Sequence, residues 1–229
     1  MDEAVLIAAW SNEESQPFSG WDFTHLRRRY SEEKPPWSYE ELARDVLRGA
    51  RTAVDLGTGG GEVLAKLSDA FSGRIVVTEA RPPAALPFRD ASFDAVLDRH
   101  EAYDAREVAR MLAPGGVFLT QQVDGRSHAD LLAWFGTEPH WPDVTVDRLA
   151  AALVRAGLDI ELARSSWGTI SFLDVGALVY YLRAIPWEVP DFSVDRFRPE
   201  LLGLQRRLEE TGALRFDEGR FVIRARKPR

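Results

Sequence analysis

The 229-residue chain contains no cysteine, which excludes disulfides and thiolate metal sites. Histidine is scarce, His128 and His140 are separated by too much ordinary sequence to read as metal ligands, and no His/Asp/Glu spacing demands a metal, so none is expected. No uninterrupted apolar run approaches the roughly 18 residues of a membrane span. The opening MDEAVLIAAW lacks a basic n-region, so the expectation is a cytoplasmic protein without a secretory leader. There is no GxxxxGK[ST] phosphate loop, no internal repeat and no low-complexity tract. Positive charge is also in short supply: the formal net charge is -7, and acids are spread between the basic clusters at Arg27 to Arg29 and the closing RARKPR. A nucleic-acid substrate is thereby disfavoured. What remains is a 45% apolar chain, long enough to bury a sizeable core as one domain or one domain with a cap.

Against these absences stands one dense feature, VDLGTGGGEVL from Val54 to Leu64. A short aliphatic strand meets a helix through a turn with glycine at 57, 59, 60 and 61, where the backbone can take φ > 0 and a ligand can approach closely. The bland reading is a tight strand-to-helix turn; the functional one is a cradle for a nucleoside cofactor. RIVVTEA, Arg74 to Ala80, reads as a second strand ending in Glu79, 24 residues after Asp55, a spacing that suits a carboxylate gripping ribose hydroxyls. The turn is DxGxGGG rather than the GxGxxG of nicotinamide enzymes. With Asp55 opening it and Glu62 in the first helical turn, it suits a ligand bearing positive charge better than a pyrophosphate.

Strand-like and helix-like segments alternate along the chain, which predicts a parallel sheet covered by helices. Strands are expected at Thr52 to Leu56, Arg74 to Ala80 and Phe93 to Asp98. A helix after the first should run to about Phe71, and AREVARML should stop at Pro114-Gly115-Gly116, releasing the strand GVFLTQQV. Later come a helix over Val146 to Ala156, one long or two short strands in LDIELARSSWGTISF, helices near Val175 to Ile185 and Val194 to Glu210, and a last strand in FVIRARK.

VDLGTGGGE, VVTEA, LPFRDASFDAVL and MLAPGGVFLTQQV together resemble the motifs of the class I S-adenosylmethionine-dependent methyltransferases over about residues 50 to 125. With GWDF and RHE added, the chain is similar to a methyltransferase type 11-like subgroup. The resemblance implies an α/β, doubly wound, mostly parallel Rossmann-like sheet with an antiparallel last strand, and a helical cap over residues 1–50 on a cofactor-binding domain over 51–229. It implies S-adenosyl-L-methionine as cofactor, with S-adenosyl-L-homocysteine as product, held by Asp55, Gly57, Thr58, Gly59, Gly60, Gly61, Glu62, Glu79, Ala80, Arg81, Leu86, Phe88, Arg99 and His100. The implied reaction is methyl transfer to a small or medium-sized acceptor. The alternatives are a tRNA or rRNA methyltransferase, or a non-catalytic S-adenosylmethionine-binding regulatory protein.

The family places a helix and a third strand where this chain has only ARPPAA. A crossover needs about a dozen residues, and Leu86 follows Glu79 by seven positions. The unit is therefore expected to be missing, leaving the second strand at a sheet edge and Arg81, Leu86, Pro87 and Phe88 to cover the adenine, unless Pro82-Pro83 is a plain linker.

The aromatic residues Trp21, Phe23, Tyr30, Trp37 and Tyr39 precede a helix opened by a Ser38-x-x-Glu41 capping box. They are expected either to pack that helix or to form a lid, in which Trp21, Phe23 and Trp37 meet the substrate and attract a sulfonium by a cation–π effect of about 0.5 to 2 kcal/mol. His25 shows no partner and is expected at the surface. DRHEAYD follows a strand, so Arg99, His100 and Glu101 should border a crevice, His100 as a base oriented by Glu101. The alternative is a salt-bridged corner of Asp98, Arg99 and Glu101 with His100 bonded to backbone. Gln121 and Gln122 end the next strand and are expected either to bind a carboxylate or to make ordinary strand-end hydrogen bonds. Trp141, Trp167 and GALVYYLRAIPW line a hydrophobic pocket or pack the core.

Overall fold

The computed structural model describes residues 2–19, 22–67, 71–78 and 86–229. In chain order its helices are α1 (Glu3–Glu14), α2 (Tyr39–Arg48), α3 (Glu62–Leu67), α4 (Ala105–Met111), α5 (Ala129–Leu132), α6 (Val146–Arg155), α7 (Val175–Ala184) and α8 (Arg198–Thr211). The strands are β1 (Tyr30–Glu32), β2 (Thr52–Leu56), β3 (Arg74–Thr78), β4 (Phe93–Arg99), β5 (Leu112–Val123), β6 (Asp159–Phe172) and β7 (Leu214–Arg226). They belong to two compact units, one of Met1–Lys34, Gly125–Pro142 and Trp167–Glu218, the other of Pro35–Asp124, Asp143–Ser166 and Gly219–Arg229. The segment expected as a cap, 1–50, is thus divided between them.

In the second unit the strand order is β6-β7-β5-β4-β2-β3, with β2 parallel to β3 and β4, β4 parallel to β5, and β7 antiparallel to β5. Alternate side chains of the strands enter two separate cores. Val54, Val96, Phe118, Phe221 and Ile223 pack with Val108 of α4 and Leu153 of α6. Ala53, Ala95, Leu97, Leu119 and Val222 pack with Val46 and Leu47 of α2 and Leu67 of α3. A sheet buried on both faces is the expected doubly wound arrangement, because only helices on each side can cover strands this apolar. Among the described residues β3 ends the order, as expected from the missing third-strand unit.

Local signals account for the element ends. Ser38 Oγ accepts from the Glu41 amide at 3.2 Å and starts α2, and Asp104 Oδ1 accepts from Arg106 and Glu107 amides to start α4. The described part of the helix after β2 reaches Leu67, and residues 68–70 lie outside the described residues. Two expectations shift. The Pro114-Gly116 segment is an irregularity inside β5 rather than a turn before it, because the register jumps from Phe93↔Leu112 to Ala95↔Val117 and Gly115 takes φ +80°. The last helix begins at Arg198, with proline in its first turn, where a missing N–H costs nothing.

The first unit is built on α7, whose side chains are buried except for Arg183, so GALVYYLRAIPW is largely core. Leu6 and Trp10 of α1, Leu201 and Leu204 of α8, and Phe172 of β6 complete that core. Trp141 and Trp167, by contrast, are 58% and 48% exposed, and Trp167 carries the Arg126 guanidinium 5.6 Å from its ring. Arg29 forks onto Asp174 at 2.7 and 2.9 Å and reaches Glu13 at 2.8 Å, while His25, expected without a partner, holds Glu13 at 2.7 Å.

His128 is buried within ion-pair distance of two carboxylates, Glu188 at 3.8 Å and Glu218 at 3.6 Å. Burial alone would lower its pKa, but the two carboxylates reverse the sign and raise it to about 9. A histidine pKa raised in the folded state gives stability that is complete below its ordinary value near 6.5 and is lost as pH rises through about 9. Chemical denaturation should therefore show unfolding free energy falling by on the order of 2 kcal/mol across that window. His128→Asn, which tolerates the φ of +61° at this position, should flatten the dependence, and an equal slope in the variant would contradict the assignment.

Candidate functional site

Strands β2 and β4 lie side by side and parallel, Val54 opposite Val96 and Leu56 opposite Asp98. The chain leaving β2 enters α3 on one face of the sheet, and the chain leaving β4 enters α4 on the other. Neighbouring parallel strands whose connections depart to opposite faces leave a crevice beyond their carboxyl ends, the place where open α/β sheets bind ligands.

The glycine turn forms one wall. Gly57, Gly59 and Gly61 take φ of +66°, +60° and +81°, conformations that L side chains rarely adopt. Thr58 pins the turn twice, its hydroxyl donating to Asp55 Oδ2 at 2.7 Å and its amide to the Thr78 carbonyl at 3.0 Å. A Cβ on Gly57 would stand 2.6 Å from Cβ of Glu101, so Glu101 lies directly against the turn. At Gly60 the Glu62 side chain folds back in the same way, whereas Gly59 faces nothing within 4 Å.

The opposite wall is the end of β4. Asp98 is fully buried; its Oδ1 accepts from Thr120 Oγ1 at 3.0 Å and Gln122 Nε2 at 2.7 Å, and its carbonyl accepts from Tyr39 Oη at 3.1 Å. Burial drives its pKa well above the usual carboxylate range, and the nearby Glu101 and Asp55 carboxylates push it in the same direction. Burial likewise raises the Tyr39 phenol. Gln122 Nε2 also donates to the Glu101 carbonyl at 2.9 Å and to Thr120 Oγ1, so its amide nitrogen is engaged within the protein. Asp98, Arg99 and Glu101 form no salt-bridged corner among the described residues.

His100 follows with φ +67°, its amide donating to the Gln121 carbonyl at 2.9 Å. Trp37 Nε1 donates to Gln121 Oε1 at 2.9 Å, Gln121 Nε2 lies 3.4 Å from His100 Nε2, and Arg220 Nη1 lies 3.3 Å from the same nitrogen. Crowding by the protein, then Arg220 and Arg99, push the imidazole pKa downward. The residue nonetheless keeps an exposed surface, so solvent screens part of this effect and a ligand can reach it.

The crevice thus gathers Asp55, Gly57 to Glu62, Arg99, His100, Glu101, Gln121 and Trp37. Leu86 sits in the core under α4 and the partly buried Phe88 packs against it, Leu86 donating its amide to Glu107 Oε1 at 2.7 Å and Phe88 meeting Phe93 edge-on at 5.1 Å. Arg110 ties this LPFRD segment down through the Phe88 carbonyl and Asp90, both at 2.7 Å. Phe23 belongs to the other compact unit, packed among Phe18, Tyr30 and Tyr181. Trp21, Glu79, Ala80 and Arg81 lie outside the described residues. Sequence reasoning named Asp98 only as part of a salt-bridged corner, and it missed Arg220 and the Glu107–Arg110 clamp. Only the last had a legible signal, an i,i+3 acid–base pair within the predicted helix AREVARML.

No protein-family model and no curated protein matches the sequence. Among solved structures, a Bacillus halodurans protein provisionally named a methyltransferase aligns with a TM-score of 0.57 at 15% identity, covering 84% of this chain and 99% of its own. The YcgJ protein of Bacillus subtilis aligns with a TM-score of 0.53 at 16% identity, covering 83% of this chain and 98% of its own. The chain has the Rossmann-like fold of the class I methyltransferases.

Alanine at Gly57 must accept both a positive φ and the Glu101 side chain, whereas alanine at Gly59 meets only the φ penalty of about 1–2 kcal/mol. Urea titration should therefore find Gly57→Ala less stable than Gly59→Ala by on the order of 1 kcal/mol. Equal losses would show that Glu101 does not rest on the turn.

Proposed function

We propose that the protein is an S-adenosylmethionine-dependent methyltransferase acting on a small or medium-sized acceptor. The observation that carries this reading is the positive-φ glycine turn at the point where the connections from β2 and β4 part to opposite faces. The cradle fits the cofactor: Gly59 is open to close approach, and Asp55, Glu62 and Glu101 surround the turn with carboxylates that favour a cationic ligand over a pyrophosphate. Glu79, Ala80 and Arg81 are proposed to complete the ribose and adenine contacts, and Trp37, Gln121 and Gln122 to line the acceptor side, Gln122 through the strand-end geometry it fixes.

Bound S-adenosylmethionine would supply an activated methyl on a sulfonium. The chain's own tasks are then to align the acceptor for in-line displacement, to exclude water and, where the acceptor carries a proton, to receive it. His100 and Glu101, at the end of β4, border that reaction.

Calorimetry with S-adenosylhomocysteine tests the assignment. Wild type should bind, and Gly59→Val should bind at least tenfold more weakly, about 1.4 kcal/mol, because the added side chain fills open space a ligand would use. No heat at millimolar ligand, or equal affinity in a folded variant, would refute it.

A further inference from the structure

Hydrogen-bond logic fixes the protonation of His100. An indole N–H can only donate, so the Gln121 amide atom facing Trp37 at 2.9 Å is the oxygen. The amide nitrogen, also a donor, is then the atom turned to His100 Nε2 at 3.4 Å. A guanidinium has no acceptor either, and Arg220 Nη1 approaches the same ring nitrogen at 3.3 Å. Two donors converging on Nε2 require it to carry a lone pair and no proton. The one ring proton therefore sits on Nδ1, which has no hydrogen-bond partner among the described residues. Protonating Nε2 would oppose N–H to N–H and put a third positive charge beside Arg220 and Arg99, which agrees with the downward direction of the pKa.

We propose that Trp37 and Arg220 are positioning residues that hold His100 as its neutral Nδ1–H tautomer, so that His100 serves as a hydrogen-bond donor at the crevice and not as a base. This rests on the methyltransferase reading for its role in turnover, but the tautomer is a property of the free protein. The lone pair that a general base would use is already shared between Gln121 and Arg220. The ring instead offers Nδ1–H to an acceptor atom of the ligand, in surroundings made positive by Arg99 and Arg220. Glu101 is left as the carboxylate beside the turn to receive a proton.

The test is long-range proton–nitrogen NMR on the full chain with nitrogen-15-labelled histidine, His100 being assigned by loss of its signals in His100→Gln. At pH 7 without ligand, Nε2 should resonate as an unprotonated ring nitrogen and Nδ1 as a protonated one, and the ring should stay neutral well below the ordinary histidine value of about 6.5. Trp37→Phe frees the Gln121 amide to turn over, and Arg220→Met removes the second donor. Each should move the two nitrogen shifts toward one another as the other tautomer appears, while Arg220→Lys, which keeps a donor, should preserve the wild-type pattern. Should Trp37→Phe fail to fold, the Arg220 pair carries the comparison. A wild-type ring protonated at Nε2 at pH 7, or variants that leave the tautomer unchanged, would overturn the proposal. Because no ligand is present, that failure would leave the methyltransferase reading standing; failure to bind S-adenosylhomocysteine would instead remove that reading and leave the tautomer as measured.

Discussion

The parallel pairing of β2 with β4 is the constraint on which the candidate site depends. Both strands are buried on both faces, Ala53 and Ala95 toward α2 and α3, Val54 and Val96 toward α4 and α6, so neither can slip by one residue without exchanging its two cores. That fixed register sets Leu56 level with Asp98, and the residues that follow, Gly57 and His100 to Glu101, must meet beyond the sheet. Backbone conformation, together with one close contact, explains why the turn is glycine-rich. With Glu101 lying on Gly57 and the chain doubling back toward α3, side chains at the positive-φ positions would be strained and, at Gly57, obstructed.

The end of β4 shows how a polar site is kept compatible with such burial. Charge on a carboxylate this deeply buried is costly, which is why burial raises the Asp98 pKa, and the Thr120 and Gln122 donors offset part of that cost. The same amide of Gln122 reaches the Glu101 carbonyl, so one side chain of β5 holds both the buried acid and the loop carrying Glu101. Gln121 points its amide into a different chain of contacts, from Trp37 to His100. Two adjacent glutamines at one strand end thus serve two functions. Gln122 orders the backbone, and Gln121 orders a ring that faces the crevice.

Much of this was legible in the sequence because it is local. Thr52 to Leu56, the Ser38 cap, the glycine turn and the short link between the second strand and Leu86 each depend on a few neighbouring residues, and their physical signals are steric or capping signals carried by those residues. The two-unit organisation was not legible, since Met1–Lys34 associates with segments that begin only at Gly125 and Trp167. Arg220 at His100 was hidden for the same reason: the contact exists only because β7 pairs with β5 so that Arg220 lies opposite Val123. Leu86 and Phe88, expected from the sequence to cover an adenine, also pack toward the apolar space beneath α4, where the Glu107–Arg110 clamp holds their backbone, a long-range contact the sequence alone does not reveal. His100 as a base was a reasonable inference from residue type. The two donors facing its Nε2, Gln121 of β5 and Arg220 of β7, are the ground on which we propose a different role.

The central claim is that one crevice, walled by Gly57 to Glu62 and by Arg99 to Glu101, receives the cofactor. Amide hydrogen exchange measured residue by residue, with and without saturating S-adenosylhomocysteine, tests this most directly. The account predicts slowed exchange at the amides of the glycine turn and at those of His100 to Ala102, with little change in α8 of the other unit. Unchanged exchange at both walls in a protein that binds the ligand would place the site elsewhere and contradict it.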